Sequence, residues 1–331
     1  GSLPFFLFLI FIAFSQTSTF REMLRTEIIE IASNSINGKI EIGSIEGTIV
    51  TQLKLRNVSL SDDEGTIFSA AKIEVAINPF YVLAKRLKVT KLNIHDADFS
   101  LLEQEDGIWN IDRFIKSDSL ITVVESDSLI ELTDKKSEFP LLIDISNFSL
   151  QNISFKLKKK KFLNVSKQYD TMNYEDIEIK NLNLKLNLLA NINTNEFSLD
   201  IKELSFIPNL SNFTLKDLSG NVLLTNNFVE LKNCKIVTDS SSLSLSARLD
   251  DLNLFGDVDL SDFKNYPVQF NLFANPMATT DLSSFIDSLD FMNGKADMNF
   301  EGSGKFGALD IKAKLKLKRT EINLVGKLTK L

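Results

Sequence analysis

Between Asp176 and Leu189 the sequence DIEIKNLNLKLNLL alternates apolar and polar residues, as a half-buried strand does, and breaks step once, at Lys180-Asn181. Successive side chains of a strand point to opposite faces, so an odd step would throw every later leucine onto the wrong side. A β-bulge repairs this. Two residues on the bulged strand oppose one on its partner, the strand bends, and Ile177 and Ile179 share a face with Leu182, Leu184 and Leu186. The same phrase, apolar-x-apolar, polar pair, apolar-x-apolar, returns around Arg56-Asn57, Ser146-Asn147, Lys202-Glu203, Lys232-Asn233 and Asp250-Asp251. Weaker copies stand at Val89 to Ile94 and Phe213 to Gly220. The spacing between copies is irregular, which argues against a short-period solenoid and predicts one kind of bent strand used repeatedly.

Other periods mark the interruptions. Phe20, Leu24, Ile28 and Ile31 fall at helical spacing before the stop signal Asn37-Gly38, which predicts an amphipathic helix over residues 20–38. Asn78-Pro79 opens a short helix, Asn110 caps another within Trp109 to Ser117, and Thr280 or Asp281 caps a third carrying Leu282, Phe285, Ile286 and Leu289. Residues 117–139 repeat Ser-Asp-Ser-Leu among acidic residues and read as a mobile insertion. The rest, from 39 to 331, reads as strands with one apolar and one polar side, the mark of an antiparallel sheet with a wet face.

Such strands suit either a sandwich or an open sheet curled round a groove, and periodicity alone does not separate them. Repeated bulges favour bending. The expected fold is therefore mostly β: an elongated, strongly curved antiparallel sheet forming an apolar groove (a β-taco), with a few short helices and an N-terminal membrane-anchor helix. The expected lining is Leu53, Leu55, Ile143, Ile145, Ile177, Ile179, Leu182, Leu184, Leu186, Leu199, Ile201, Leu243 and Leu245.

The N-terminus adds a membrane to this picture. Leu3 to Phe14 is an uncharged apolar run, shorter than the roughly 18 to 20 residues that span a bilayer core. A clipped transmembrane anchor over residues 1–19, a signal-peptide remnant and a buried core helix all fit it, the anchor best. Either of the first two places the remaining chain outside the cytoplasm.

Composition removes several chemistries. A net charge of -7 is a poor match to nucleic acid, which is bound by clustered Lys and Arg. A single Cys excludes an internal disulfide, and a single His leaves little for a metal site or a Ser-His-Asp triad. Cys234 reads as a small buried apolar residue and His95 as a solvated or turn residue. No P-loop or G-x-S-x-G elbow is present, and the pairs Asp62-Asp63 and Asp250-Asp251 stand in turn-like sequence. The chain is expected not to be an enzyme and to need no cofactor. Four Asn-x-Ser/Thr matches, beginning at Asn57, Asn147, Asn152 and Asn212, follow from the strand phrase itself. The lysine run within Lys156 to Phe162 reads first as a solvated hairpin end, second as a site for acidic lipid headgroups.

Taken in order, Gly43-Ser44-Ile45-Glu46-Gly47, the stretch LKLRNVSLSDDEG, Asn78-Pro79 and DGIWNI from Asp106 resemble the N-terminal region of the AsmA-like superfamily, especially its TamB (translocation and assembly module) branch. YEDIEIKNLNLKL and the segment from Asp281 to Leu317 resemble later parts of it, so the likeness spans most of residues 20–331. The resemblance implies an inner-membrane anchor, projection into the periplasm of a diderm bacterium, and a bridge-like groove that carries phospholipid acyl chains between inner and outer membranes. It also implies an alternative: a periplasmic scaffold or chaperone for outer-membrane β-barrel assembly, with an Omp85-family partner engaged through a C-terminal region that this chain lacks.

Overall fold

The computed structural model describes residues 13–48, 51–77, 89–114, 142–191, 194–254, 264–285 and 292–322. Helix α1 (Ser18–Ser35) starts on Thr17, whose Oγ1 accepts a hydrogen bond from the Phe20 amide at 3.2 Å and so satisfies one of the donors a helix start leaves over. The helix sets Leu24, Ile28 and Ile29 against Ile42, Ile45 and Val58 of the first two strands. Phe20 is buried as its spacing predicts, whereas Ile31 is 60% exposed because the contact stripe runs through Ile29.

Among the described residues thirteen strands follow: β1 (Lys39–Thr48), β2 (Gln52–Asp62), β3 (Gly65–Ile77), β4 (Val89–Leu102), β5 (Leu142–Lys158), β6 (Asp176–Asn191) and β7 (Glu196–Pro208), then β8 (Leu215–Leu224), β9 (Phe228–Thr238), β10 (Ser242–Asp250), β11 (Pro267–Ala278), β12 (Met292–Lys305) and β13 (Ala308–Ile322). Each lies beside its neighbour in sequence, in one sheet ordered β1 to β13. Two short helices, α2 (Asn110–Phe114) and α3 (Thr279–Ser283), stand in the connections. Asn110 marks the start of α2 as expected, its Oδ1 accepting from the Ile111 amide at 2.9 Å and the Leu102 amide at 3.0 Å. The Asp62-Asp63 turn is also found: Asp62 Oδ1 accepts from the amides of Glu64 and Gly65, each at 2.9 Å.

The curved, wholly antiparallel groove is not what forms. The sheet is mixed, since β4 and β5 run parallel while the other described pairs are antiparallel, and it is neither closed nor curved into a trough. Parallel neighbours need a long crossover, and the chain between Leu102 and Leu142 supplies one. Strand orientation leaves no mark on alternation, so that segment read as a mere insertion.

Across the pairs from β1 to β5 the stutters level with Asn57 add no bulge. Among the described residues seven non-glycine residues have positive φ, among them Asn57 (51°), Asp96 (50°), Asn152 (54°), Asn181 (52°) and Asn233 (52°). Three of these, Asn57, Asp96 and Asn152, stand level with one another across the sheet. Registers from β1 through β5 run unshifted past Gly43, Asn57, Ala71, Asp96 and Asn152, so both strands of each pair take the irregular residue together. A bulge bends a strand because it carries one residue more than its partner. Here that difference is absent. Between β5 and β6 the register shifts at Ser146-Asn147, a bulge as expected with both residues opposing Asn187, then at Gln151-Asn152 and, oppositely, at Lys180-Asn181, so that only the last two extra residues cancel. On β6 Lys180-Asn181 and Asn181-Leu182 oppose the single residues Ser154 and Phe206 of its two neighbours, on β9 Lys232-Asn233 and Asn233-Cys234 oppose Ser246 and Gly220, and β7 carries an extra residue against β6 at Lys202-Glu203, all bulges as expected. The phrase at Asp250-Asp251 marks the end of β10 instead, where Asp251 has φ 62°.

The expected anchor is likewise not found. Among the described residues no helix is long and apolar enough to cross a membrane. The helix that follows the apolar run carries Arg21, Glu22, Arg25, Glu27 and Glu30 along its length, a charge load that suits water. Inner-membrane anchoring and the periplasmic location inferred from it are therefore withdrawn. Residues 1–12 of the apolar run, the Asn78-Pro79 helix and the 117–139 insertion lie outside the described residues.

Left-handed backbone costs an alanine about 1 kcal/mol or more and a glycine nothing, so Asn181→Ala should lose about 1 kcal/mol in urea unfolding while Asn181→Gly stays within a few tenths of wild type. Equal losses in both variants would remove backbone conformation as the reason for asparagine there.

Candidate functional site

The feature that dominates the surface is the apolar face itself. Ile42 and Ile45, and likewise Leu55 and Val58, are three apart in sequence yet join one cluster. The same odd step unites Ala70 with Ile73, Ile94 with Ala97 and Leu150 with Ile153 in a second cluster. The seam of irregular residues thus flips the phase of each strand at one level, and apolar side chains above and below it share a face.

Cross-strand register then lines these residues up. Leu184 stands between Leu150 and Leu204, and Leu186 between Phe148 and Ile201. Ile177, Ile179 and Leu182 oppose Leu157, Phe155 and Ile153, while Ile145 and Leu199 both oppose Leu188. Leu53 and Leu55 oppose Val75 and Ile73 on β3; Leu243 and Leu245 oppose Ile236 and Cys234 on β9. All of the sequence-predicted residues are half-buried except Ile143, which pairs with Ala190 and whose side chain lies outside the described residues. β5, β6 and β7 bring nine of the thirteen together (Ile143, Ile145, Ile177, Ile179, Leu182, Leu184, Leu186, Leu199, Ile201), with the β2 pair and the β10 pair displaced along the sheet.

Sequence reasoning missed the aromatic row of this face. Phe68, Phe99 and Phe155 are register partners on β3, β4 and β5, with ring centroids 6.5 and 5.9 Å apart, within the range of favourable edge and tilted contacts. The signal was present. Phe68-x-Ala70/Ala71-Lys72/Ile73-x-Val75 and Leu92-x-Ile94/His95-Asp96/Ala97-x-Phe99 repeat the phrase with alanine in apolar places. Farther along, Leu231, Ala247, Phe270, Gly302 and Ile311 form one register row across β9 to β13 and, with their polar neighbours in sequence, line a recess of about 720 Å³. Gly302 is required there: a Cβ would stand 2.2 Å from the Phe270 ring.

The opposite face is polar and bound up in ion pairs. Glu74, 7% exposed, lies 3.1 Å from Lys72 Nζ and 2.9 Å from Lys91 Nζ, and its Oε2 accepts from Asn93 Nδ2 at 3.4 Å. Burial works to raise its pKa, but hydrogen bonds from Lys91 and Lys72 and their charges outweigh it and hold the carboxyl down to about 2. His95 is not solvated as expected. Its Nε2 is buried without a hydrogen bond, 3.9 Å from Glu74 Oε2.

The lysine run is paired rather than free. Lys158 is buried, 2.6 Å from Glu178 Oε1 and 3.2 Å from Asp176 Oδ1, and although burial opposes its charge these partners raise its pKa. Tyr169 donates to Asp176 Oδ2 at 2.6 Å, and Asn209 donates to the Asp176 carbonyl at 3.0 Å. Lys159 and Lys161 pair with Glu175, and Lys160 with Glu105. This knot pins the connection between β5 and β6. Cys234 is buried as expected, and burial pushes its thiol up. Among the described residues no group of three or more His, Cys, Asp or Glu is placed to hold a metal ion.

With neither a curved groove nor a membrane anchor found, bridge-like lipid transfer between two membranes is overturned, and the outer-membrane assembly scaffold drawn from the same resemblance falls with it.

Because the folded pKa of Glu74 is depressed, its contribution is fully present above the ordinary value of 4.5 and is lost as pH falls through about 2. Glu74→Gln should therefore cost on the order of 2 kcal/mol at neutral pH and flatten the acid limb of the stability curve across that window. An unchanged acid limb in urea titrations at several pH values would show that the pairing carries no stability.

No family model matches the sequence, and no curated protein matches it.

Proposed function

We propose that this chain is a non-catalytic binding scaffold whose apolar sheet face holds the apolar chains of amphiphiles, with phospholipid acyl tails as the ligand class. The carrying observation is the half-burial of that face over β5 to β7: residues such as Leu184, Leu186 and Ile201 have apolar cross-strand partners yet keep exposed surface above them. A folding core would close over such residues. A face left half open across so many strands gains by covering itself, at about 25 cal/mol for each Å² of apolar surface removed from water. Acyl chains suit it because they need continuous apolar contact and no directional polar partner, and the face offers rows of leucine, isoleucine and phenylalanine. Headgroups would stay in water. The order of motifs that resembles the AsmA-like superfamily supports a lipid as the ligand. Neither a groove, nor movement between membranes, nor a cellular location belongs to this reading.

The test is calorimetric titration with a short-chain phosphatidylcholine below its micelle concentration, together with native mass spectrometry of the chain as purified. Saturable binding is expected, and Leu184→Arg, placed in the middle of the β5 to β7 rows, should weaken it about tenfold with an unchanged circular dichroism spectrum. Absence of saturable binding by the wild-type chain, or undiminished binding by a folded Leu184→Arg variant, would sink the proposal.

A further inference from the structure

Over β10 to β12 the polar face departs from the ion pairing that ties up Glu74 and Lys158. Arg248, Gln269 and Ser303 stand in one register row, and Ser246, Asn271 and Glu301 in the next. Both rows line the recess of about 720 Å³ that crosses β9 to β13, whereas the flanking apolar residues Leu245, Leu249, Leu272 and Phe300 do not. The recess therefore opens on the polar face, with the backbone of the Ala247, Phe270 and Gly302 row as its floor. Adjacent strands lie about 4.8 Å apart, which makes it about 19 Å long. At its centre the side chains of Gln269, Asn271, Glu301 and Ser303 are exposed and, among the described residues, take part in no hydrogen bond or ion pair.

Beside these rows an aromatic residue stands out of phase. Phe270 and Leu272 are half-buried on the apolar face, but Phe273, two residues beyond Asn271, lies on the polar face between Ser244 and Asn299 and is 49% exposed. Charge in the recess is balanced, with Glu230, Glu301 and Asp310 against Lys232, Arg248 and Lys312. Two of these cations are already held, Lys232 by Glu230 at 2.8 Å and Arg248 by Asp250 at 2.8 Å, the latter with its guanidinium 3.7 Å from the centre of the Phe228 ring. Phosphate groups are drawn by cations in excess, and this recess has no excess. An extended peptide pairs through backbone, and the floor of the recess spends its backbone hydrogen bonds on neighbouring strands. A neutral ligand rich in hydroxyls is the class that uses every group present.

We propose that this recess binds a neutral oligosaccharide, with Phe273 as the platform for one sugar ring. Gln269 and Asn271 each offer an amide N–H and a carbonyl, Glu301 accepts, and Ser303 both donates and accepts, which suits hydroxyls that do both themselves. The C–H face of a pyranose ring laid on the exposed phenyl removes apolar surface from water. The proposal is independent of lipid binding to the opposite face.

Linear neutral oligomers of β-1,4-glucose, α-1,4-glucose and β-1,4-N-acetylglucosamine, six rings each, are titrated into the full chain by saturation-transfer NMR and calorimetry, with a linear polyphosphate beside them. Saturable binding of at least one saccharide is expected, little altered by salt, and none of the polyphosphate. Phe273→Ala, and separately the double variant Gln269→Ala with Asn271→Ala, all at exposed positions, should each weaken the tightest saccharide about tenfold with an unchanged circular dichroism spectrum. Leu184→Arg, on the opposite face, should leave it unchanged. No saturable binding of any of the three saccharides, polyphosphate bound more tightly than all of them, or affinity that both folded recess variants retain would overturn the proposal. So would loss of saccharide binding in Leu184→Arg, because it would move the ligand to the apolar face.

Discussion

A strand can keep one face apolar over sixteen residues only if its alternation never slips, and in this molecule it slips by necessity and is corrected by backbone that few residues tolerate. Asn57, Asp96, Asn152 and Asn181 each hold φ near 50° in the middle of a strand, where most residues would be strained. Asparagine and aspartate reduce that cost with short polar side chains that bond locally, as Asn152 Nδ2 does to Asp96 Oδ1 at 2.7 Å and Asn183 Oδ1 does in accepting from the Asn152 amide at 3.0 Å. The seam is thus tied together along its length. Were one strand to lose its irregular residue, its apolar positions beyond that level would turn to the polar side while its neighbours' stayed, and the rows across β1 to β6 would break at that strand.

The seam also sets where charge is placed. Polar positions on both sides of it gather on the second face, and a chain with an excess of carboxylates meets its lysines there in cross-strand pairs. Glu74 with Lys91, Glu203 with Lys185 and Glu230 with Arg248 are products of register, while Lys72 and Lys232 reach the same glutamates from two positions away on their own strands. Most such pairs are exposed and contribute little individually. Glu74 and the Lys158, Asp176 and Glu178 knot are the exceptions, because burial removes water as an alternative partner and makes each member dependent on the others.

The stutter was legible in the sequence wherever a polar doublet containing Asn or Asp carried it, and of the residues from Leu53 through Leu245 assigned to the apolar face all but Ile143, whose side chain lies outside the described residues, occupy half-buried strand positions. It was not legible at Ala71-Lys72, where alanine hides the step, nor did it show that Asp250-Asp251 ends a strand. Sheet curvature was misjudged for a physical reason. A doublet in one strand reads as one extra residue, but whether the partner carries a matching irregularity is a property of two strands, and β1 through β5 match theirs. Parallel pairing of β4 with β5 was hidden in the same way, since an alternating strand reads alike in either direction. His95 was placed on the polar side rightly and given to solvent wrongly: sequence shows a face, not the Glu74 carboxylate that register brings to 3.9 Å.

The seam decides what is left to be covered, and the helix covers part of it. Leu24, Ile28 and Ile29 of α1 lie on Ile42, Ile45 and Val58, which are buried in consequence, and Arg25 fastens the helix to the Ile42 carbonyl at 3.0 Å. No helix among the described residues does the same over β5 to β7, and there Leu184, Leu186 and Ile201 stay half-buried although each has apolar partners across the strands. Register alone therefore aligns an apolar face without closing it; closure needs a second layer, and where the second layer is present the exposure of the same residue types falls to a few per cent.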